Sequence, residues 1–291
     1  MDNILSIRHL KKTYPGFQIK DLSLDIPKGV IMGFIGENGA GKTTTIKAIL
    51  DLIHLDSGSI QIFGKDSISC GKEIRQEIGV VLSESNFPEY MTPKQIDSVL
   101  SSIYHNWDKP LYNQLLQQFQ LPKNKRIKEY SRGMHMKLGI AMALAHHPSL
   151  LILDEATSGL DPIVRDEILD VFLDFIQDEE HSIFLSSHIT SDIEKVADYV
   201  TFLHKGTIVM SEQKDDLLEC YGILKTTPEK FALLSANDYV SYRKSNYTLE
   251  ALIRNKTDIQ RILPDAVIDP ASLEDIMLFT VKGEGSHDWS H

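Results

Sequence analysis

The segment Gly36-Glu-Asn-Gly-Ala-Gly41-Lys42-Thr43 fits the pattern GxxxxGK[ST], whose residue types suit it to hold phosphate groups. Gly36, Gly39 and Gly41 allow a tight backbone turn that brings N–H groups, Asn38 and Ala40 included, against anionic oxygens. Lys42 adds a compact full charge for the β and γ phosphates of a nucleotide. The Thr43 hydroxyl suits Mg²⁺, and Thr44 is placed for the α phosphate. A second constellation, Leu150-Leu-Ile-Leu153-Asp154-Glu155, is an apolar run ending in two carboxylates. Asp154 is suited to hold Mg²⁺ through water. Glu155 is suited to orient and deprotonate a water that attacks phosphorus. On its own a strand ending in Asp-Glu is commonplace; after a phosphate-binding loop it reads as the second half of one site.

Such groups need a frame. Val30–Ile35 is a continuous apolar run typical of a buried strand, and a helix is expected from Lys42, with Ile46, Ile49, Leu50 and Ile53 on one face. Ile4–Ile7, Leu22–Ile26, Gly58–Phe63, Ser182–Ser186 and Tyr199–Leu203 read as further strands. Helical stripes occur at Ile96, Val99, Leu100 and Ile103, at Met134, Leu138, Ala141, Met142 and Ala145, and at Val164, Ile168, Val171, Phe172 and Phe175; all are taken as core packing. The alternation predicts an α/β fold with a largely parallel sheet and helices on its faces. Residues 1–221 form the main domain, with a helical insertion over about 84–148. Residues 222–283 read as a small accessory domain and 284–291 as a polar tail.

The segments Tyr130-Ser131-Arg132-Gly133-Met134, LLILDEATSGLDP (150–162) and Leu185-Ser-Ser-His188 follow in an order that resembles the ATPase of an ABC transporter, over roughly residues 4–215. That resemblance implies a RecA-like P-loop core, an antiparallel β part, and a dimer that sandwiches two ATP molecules with Mg²⁺. Ser131 and Gly133 would contact the γ phosphate held by the opposite subunit, and Asp161 would line the dimer seam. His188 would sense the γ phosphate, and Tyr14 would stack on adenine. Catalysis would fall to Glu155, with Lys42 and His188 around it. The chain departs from the family pattern in having Ser83 and Glu84 where a Gln is usual, Arg132 for Gly, Met134 for Gln, and Ala156 for Pro. The tyrosine-led signature, the Ser-Ser-His segment and SLEDIMLFTVKG (272–283) resemble the bacterial branch that exports drugs and peptides. The implied partners are a separate membrane permease and a second ATPase, identical or sister.

Composition agrees with a motor that leaves the membrane to its partner. The chain has 291 residues, 42% hydrophobic and 24% charged, with no apolar run near the roughly 20 residues of a membrane helix. No signal-peptide pattern opens it, so a cytoplasmic chain, peripheral on the inner face of the membrane, is expected. A net charge of −11 argues against nucleic acid as a general partner. Cys70 and Cys220 read as ordinary thiols. The alternatives are a soluble ABC ATPase acting on ribosomes or DNA, or a non-catalytic nucleotide sensor. A single ATPase core, the lack of a coiled-coil or zinc insertion, and the presence of Glu155 and His188 weigh against them.

Overall fold

The computed structural model describes residues 2–83, 88–244 and 248–284. Strand β1 (Asn3–Tyr14) turns through Pro15-Gly16 into β2 (Phe17–Pro27), with Tyr14 paired opposite Phe17. Both strands run well beyond the short stretches expected. Their outer residues are polar, but the backbone ladder continues past the apolar alternation. Strand β3 (Ile31–Ile35) is buried throughout and leads through the glycine-rich loop into α1 (Lys42–Ile49). Next, β4 (Ser57–Ile62) and β5 (Lys65–Asp66) complete an antiparallel sheet ordered β2-β1-β4-β5.

After the short α2 (Gly71–Ile74) and β6 (Ile78–Val81) come the helices α3 (Pro93–Ile103), α4 (Lys109–Gln118) and α5 (Arg132–Leu144). Side chains start each of the three. Thr92 and Gln95 form a capping box, Asp108 accepts from Leu111 N at 2.8 Å, and Ser131 accepts from Met134 N at 3.3 Å. The α3 stripe needs correction: Val99 and Ile103 are 44% and 51% exposed. The buried face of α3 instead carries Asp97, whose carboxylate accepts from Trp107 Nε1 at 2.9 Å and pairs with Lys109 at 3.0 Å. The apolar stripe is wider than the surface α3 packs against, so its far edge faces solvent. Leu138, Ala141 and Ala145 of the α5 stripe are buried, as are Ile168, Val171 and Phe172.

Strand β7 (Leu150–Asp154), α6 (Pro162–Phe175), β8 (Ser182–Ser187), α7 (Thr190–Val196), β9 (Tyr199–His204) and β10 (Thr207–Gln213) build the rest of the core. The central sheet is ordered β10-β9-β3-β8-β7-β6, parallel except for β10. Its register brings functional strand ends to one edge: Ile35 lies opposite Ser187 and Phe202, and Asp154 lies opposite Ser186. Open parallel sheets bind ligands beyond their carboxyl ends, where the order reverses, and the glycine-rich loop leaves β3 there.

Helix α8 (Lys214–Cys220) then leads to β11 (Gly222–Thr226), α9 (Pro228–Phe231), β12 (Ser241–Lys244), β13 (Leu249–Ile253), α10 (Lys256–Ile262), β14 (Val267–Pro270) and α11 (Leu273–Lys282). These strands form a separate antiparallel sheet, β12-β13-β11-β14. It has a small core of its own around Leu224, Leu249 and Ile259. Leu273, Ile276 and Phe279 of α11 belong instead to the main core, together with Val200, Phe202 and Tyr221. The expected tail also begins later than read. Glu284 exchanges backbone hydrogen bonds with Tyr242, at 2.8 and 3.1 Å, because Gly283 packs closely against Ser241 and Phe279. The remainder of that tail, 285–291, lies outside the described residues.

Candidate functional site

The glycine-rich loop is shaped by what surrounds it. A Cβ on Gly36 would stand 2.5 Å from Leu203 O, and one on Gly41, at φ +116°, would stand 2.8 Å from the Phe17 ring. Only glycine fits either place. The β9–β10 turn braces the loop from behind, with Gly206 N donating to Ala40 O at 2.9 Å. The first residues of α1 follow directly, and their N–H groups have no intrahelical acceptor, which makes this helix start receptive to an anion.

Lys42 is buried, and its ammonium donates to Gly36 O at 2.7 Å and Glu37 O at 3.4 Å. It also pairs with Glu155 Oε1 at 3.2 Å. The second oxygen of Glu155 accepts from His188 Nδ1 at 2.5 Å. A carboxylate only accepts, so this contact assigns the ring proton to Nδ1 and leaves Nε2 as the other polar atom of the ring. Glu155 is thereby tethered at both oxygens. Its backbone is held at φ +53°, a left-handed conformation that costs a non-glycine residue on the order of 1–3 kcal/mol. Glu155 N bonding to Ser186 O at 3.0 Å, and the buried Ala156 and Thr157 that follow, keep it there. The alanine in place of the usual proline therefore sits fully enclosed.

Asp154 is fully buried at the end of β7 and is surrounded by hydroxyls. Ser186 donates to Oδ1 at 2.6 Å, and Thr43 and Ser83 donate to Oδ2 at 2.9 and 3.4 Å. Ser83 therefore does reach the acidic centre, through Asp154. Glu84, the other residue considered for that role, lies outside the described residues. Oxygen donors alone, from one hydroxyl and one carboxylate in contact, fit a hard cation such as Mg²⁺, which completes its octahedron with water and phosphate oxygens. Among the described residues no cluster of three or more His, Cys, Asp or Glu is placed to hold a metal by itself.

Asn38, Gly39, Gly41, Lys42, Thr43, Thr44, Glu155 and His188 line one open cleft of about 620 Å³. Gly16, Phe17 and Ser158 also line it and escaped the sequence reading of the site; Ser83 and Arg132, singled out there as departures from the family pattern, line it too. Phe17 had a signal, since it mirrors Tyr14 across the Pro15-Gly16 turn. Tyr14 stands outside that lining, half-exposed, with the Lys12 ammonium 5.2 Å from its ring centre. Gly36 and Ala40 belong to the loop but do not line the cleft. Ser131, Gly133 and Asp161 are also outside its lining, although Arg132 between the first two belongs to it. Ser131 caps α5, and Asp161 caps α6 by accepting from Val164 N at 3.1 Å. A single chain thus assembles one group of the expected residues and leaves the other on its surface.

The ABC transporter family model matches residues 19–158. The chain is 37% identical over 212 residues to the bacitracin transport ATP-binding protein BcrA of Bacillus licheniformis, covering 72% of this chain and 69% of that one. It is 34% identical over 217 residues to the lantibiotic transport ATP-binding protein SrtF of Streptococcus pyogenes, covering 73% and 92%. A solved ATP-binding subunit of an ABC transporter superposes with a TM-score of 0.65 at 26% identity, over 74% of this chain and 92% of that one.

Proposed function

We propose, from the premise that this chain belongs to the family of ABC transporter ATP-binding proteins, that it hydrolyses ATP to drive export through a separate membrane permease. The observation that carries the hydrolytic part is the tether of Glu155 between Lys42 and His188, at the mouth of the phosphate loop. An incoming γ phosphate competes with Glu155 for the Lys42 ammonium. The freed carboxylate then accepts a proton from water, the water oxygen bonds to phosphorus, and the bond to the ADP oxygen breaks. Thr43 and Asp154 would hold Mg²⁺, which supplies charge neutralisation at the phosphates. His188 keeps Glu155 oriented through Nδ1.

Ser131, Gly133 and Asp161, exposed or half-buried and outside the cleft lining, suit a surface that closes on a second ATPase, identical or sister. No helix among the described residues is long and apolar enough to cross a membrane, so a permease must supply the passage. Bacitracin and lantibiotic transport by the relatives favours a peptide or drug-like cargo, and supports a position for this chain at the cytoplasmic face of its permease. Affinity purification of the tagged chain from detergent-extracted membranes of its host tests this. A polytopic membrane protein should copurify at near-stoichiometric yield; recovery with soluble or ribosomal material only would overturn the transport reading.

A further inference from the structure

Arg132 opens α5, where the ABC pattern usually has glycine, and its side chain is exposed. Unlike its neighbours Ser131 and Gly133, it lines the chain's own nucleotide cleft, with Lys42, Thr43, Glu155 and Ser158. The guanidinium lies across Gly159: a Cβ there would stand 2.5 Å from Nη1, 2.7 Å from Cζ and 3.2 Å from Nη2. Gly159, at φ +68°, is thus a bare backbone floor that lets the arginine fold back toward the cleft. Among the described residues none gives Arg132 a hydrogen bond or an ion pair. The nearby carboxylates are already engaged, Glu155 by Lys42 and His188, and Asp154 by three hydroxyls. A permanently charged group with five free donors therefore faces a cleft whose other fixed cation, Lys42, is held in place.

We propose that Arg132 binds the nucleotide of its own subunit, so that the α5 start works on two sites at once. Ser131 and Gly133 serve the partner's nucleotide, and Arg132 its own. A planar guanidinium pairs bidentately with phosphate oxygens, which glycine at this position cannot do. This rests on the nucleotide-binding reading above, and the experiment separates the two. The full chain is titrated with mant-ADP and Mg²⁺ at concentrations where light scattering finds only monomer, so that no second subunit contributes. R132Q should bind about 3- to 10-fold more weakly, with a shallower salt dependence, as expected for the loss of one partly screened charge. R132K, which keeps the charge but not the bidentate geometry, should recover part of the affinity and most of the salt dependence, and the melting temperature should not change in either variant. R132Q binding like the parent, with the same salt dependence, overturns the assignment. Equal weakening in R132Q and R132K with lowered melting temperatures marks a structural role and also overturns it. K42A run in parallel guards the premise: if the parent fails to bind mant-ADP, or K42A binds as well as the parent, the nucleotide site itself is misplaced.

Discussion

Glu155 and Lys42 sit 3.2 Å apart yet do different work, and substitution separates them. Glu155→Gln keeps the size of the side chain and loses the base. Turnover should fall on the order of 10²–10⁴-fold, with ATP affinity close to the parent's, because the phosphate-binding loop is untouched. Parent-like turnover in steady-state phosphate release would remove Glu155 from its role. Lys42→Ala strips the only buried ammonium from the loop, so nucleotide binding and hydrolysis should weaken together. Calorimetric titration showing unchanged affinity would contradict that. Ser83 illustrates how a departure from a family pattern is resolved: the shorter side chain still reaches Asp154, at 3.4 Å, because β6 ends beside β7 in the sheet.

At the scale of elements, the helical insertion is anchored to the core through α5. Beyond its end, His146 is buried, donates from Nε2 to Ile78 O at 3.1 Å, and stacks on Tyr104 with ring centres 3.9 Å apart. Burial pushes the His146 imidazole below its ordinary pKa, and the neighbouring His147 adds to the shift. The folded state therefore prefers it neutral. Its contribution to stability is complete above the unfolded value of about 6.5 and is lost as pH falls below that, toward the lower folded pKa. Thermal melts between pH 7.5 and 5.5 should find the parent losing its advantage over His146→Gln as pH drops. A parent–variant gap that stays constant over that range would rule this out. The α3 stripe carries the opposite lesson. Its periodicity identified a helix, but the depth of burial depended on how much surface α4 and the sheet offered it.

In the whole molecule, the C-terminal sheet and the main α/β core are joined by α11. Phe279 is buried among core residues, with the Arg243 guanidinium 4.6 Å from its ring centre and Ser241 Oγ donating to its carbonyl at 2.8 Å. Phe279→Ala should destabilise the chain by about 3–5 kcal/mol in urea unfolding, with a single transition, because the cavity opens in a shared core. A second, separate transition would mean that the two parts unfold independently. The α/β class, the phosphate loop, the two acids and the start of α1 at Lys42 were legible in the sequence, because each is a local property of residue type or period. Gly16, Phe17 and Ser158 were not legible as cleft residues, nor was the outward position of Tyr14, and Ser83 and Arg132 stood out only as departures from the family pattern. Those depend on which strand lies beside which and on where a turn folds back. The sequence alone determined that a phosphate-binding loop and a carboxylate-ended strand are present and which residues form them, since such motifs demand particular residue types at short spacing. Only the tertiary structure decided which of these residues meet, because strand order and helix packing bring Asp154, Glu155 and His188 together with Lys42 and leave Ser131 and Asp161 outside the cleft lining.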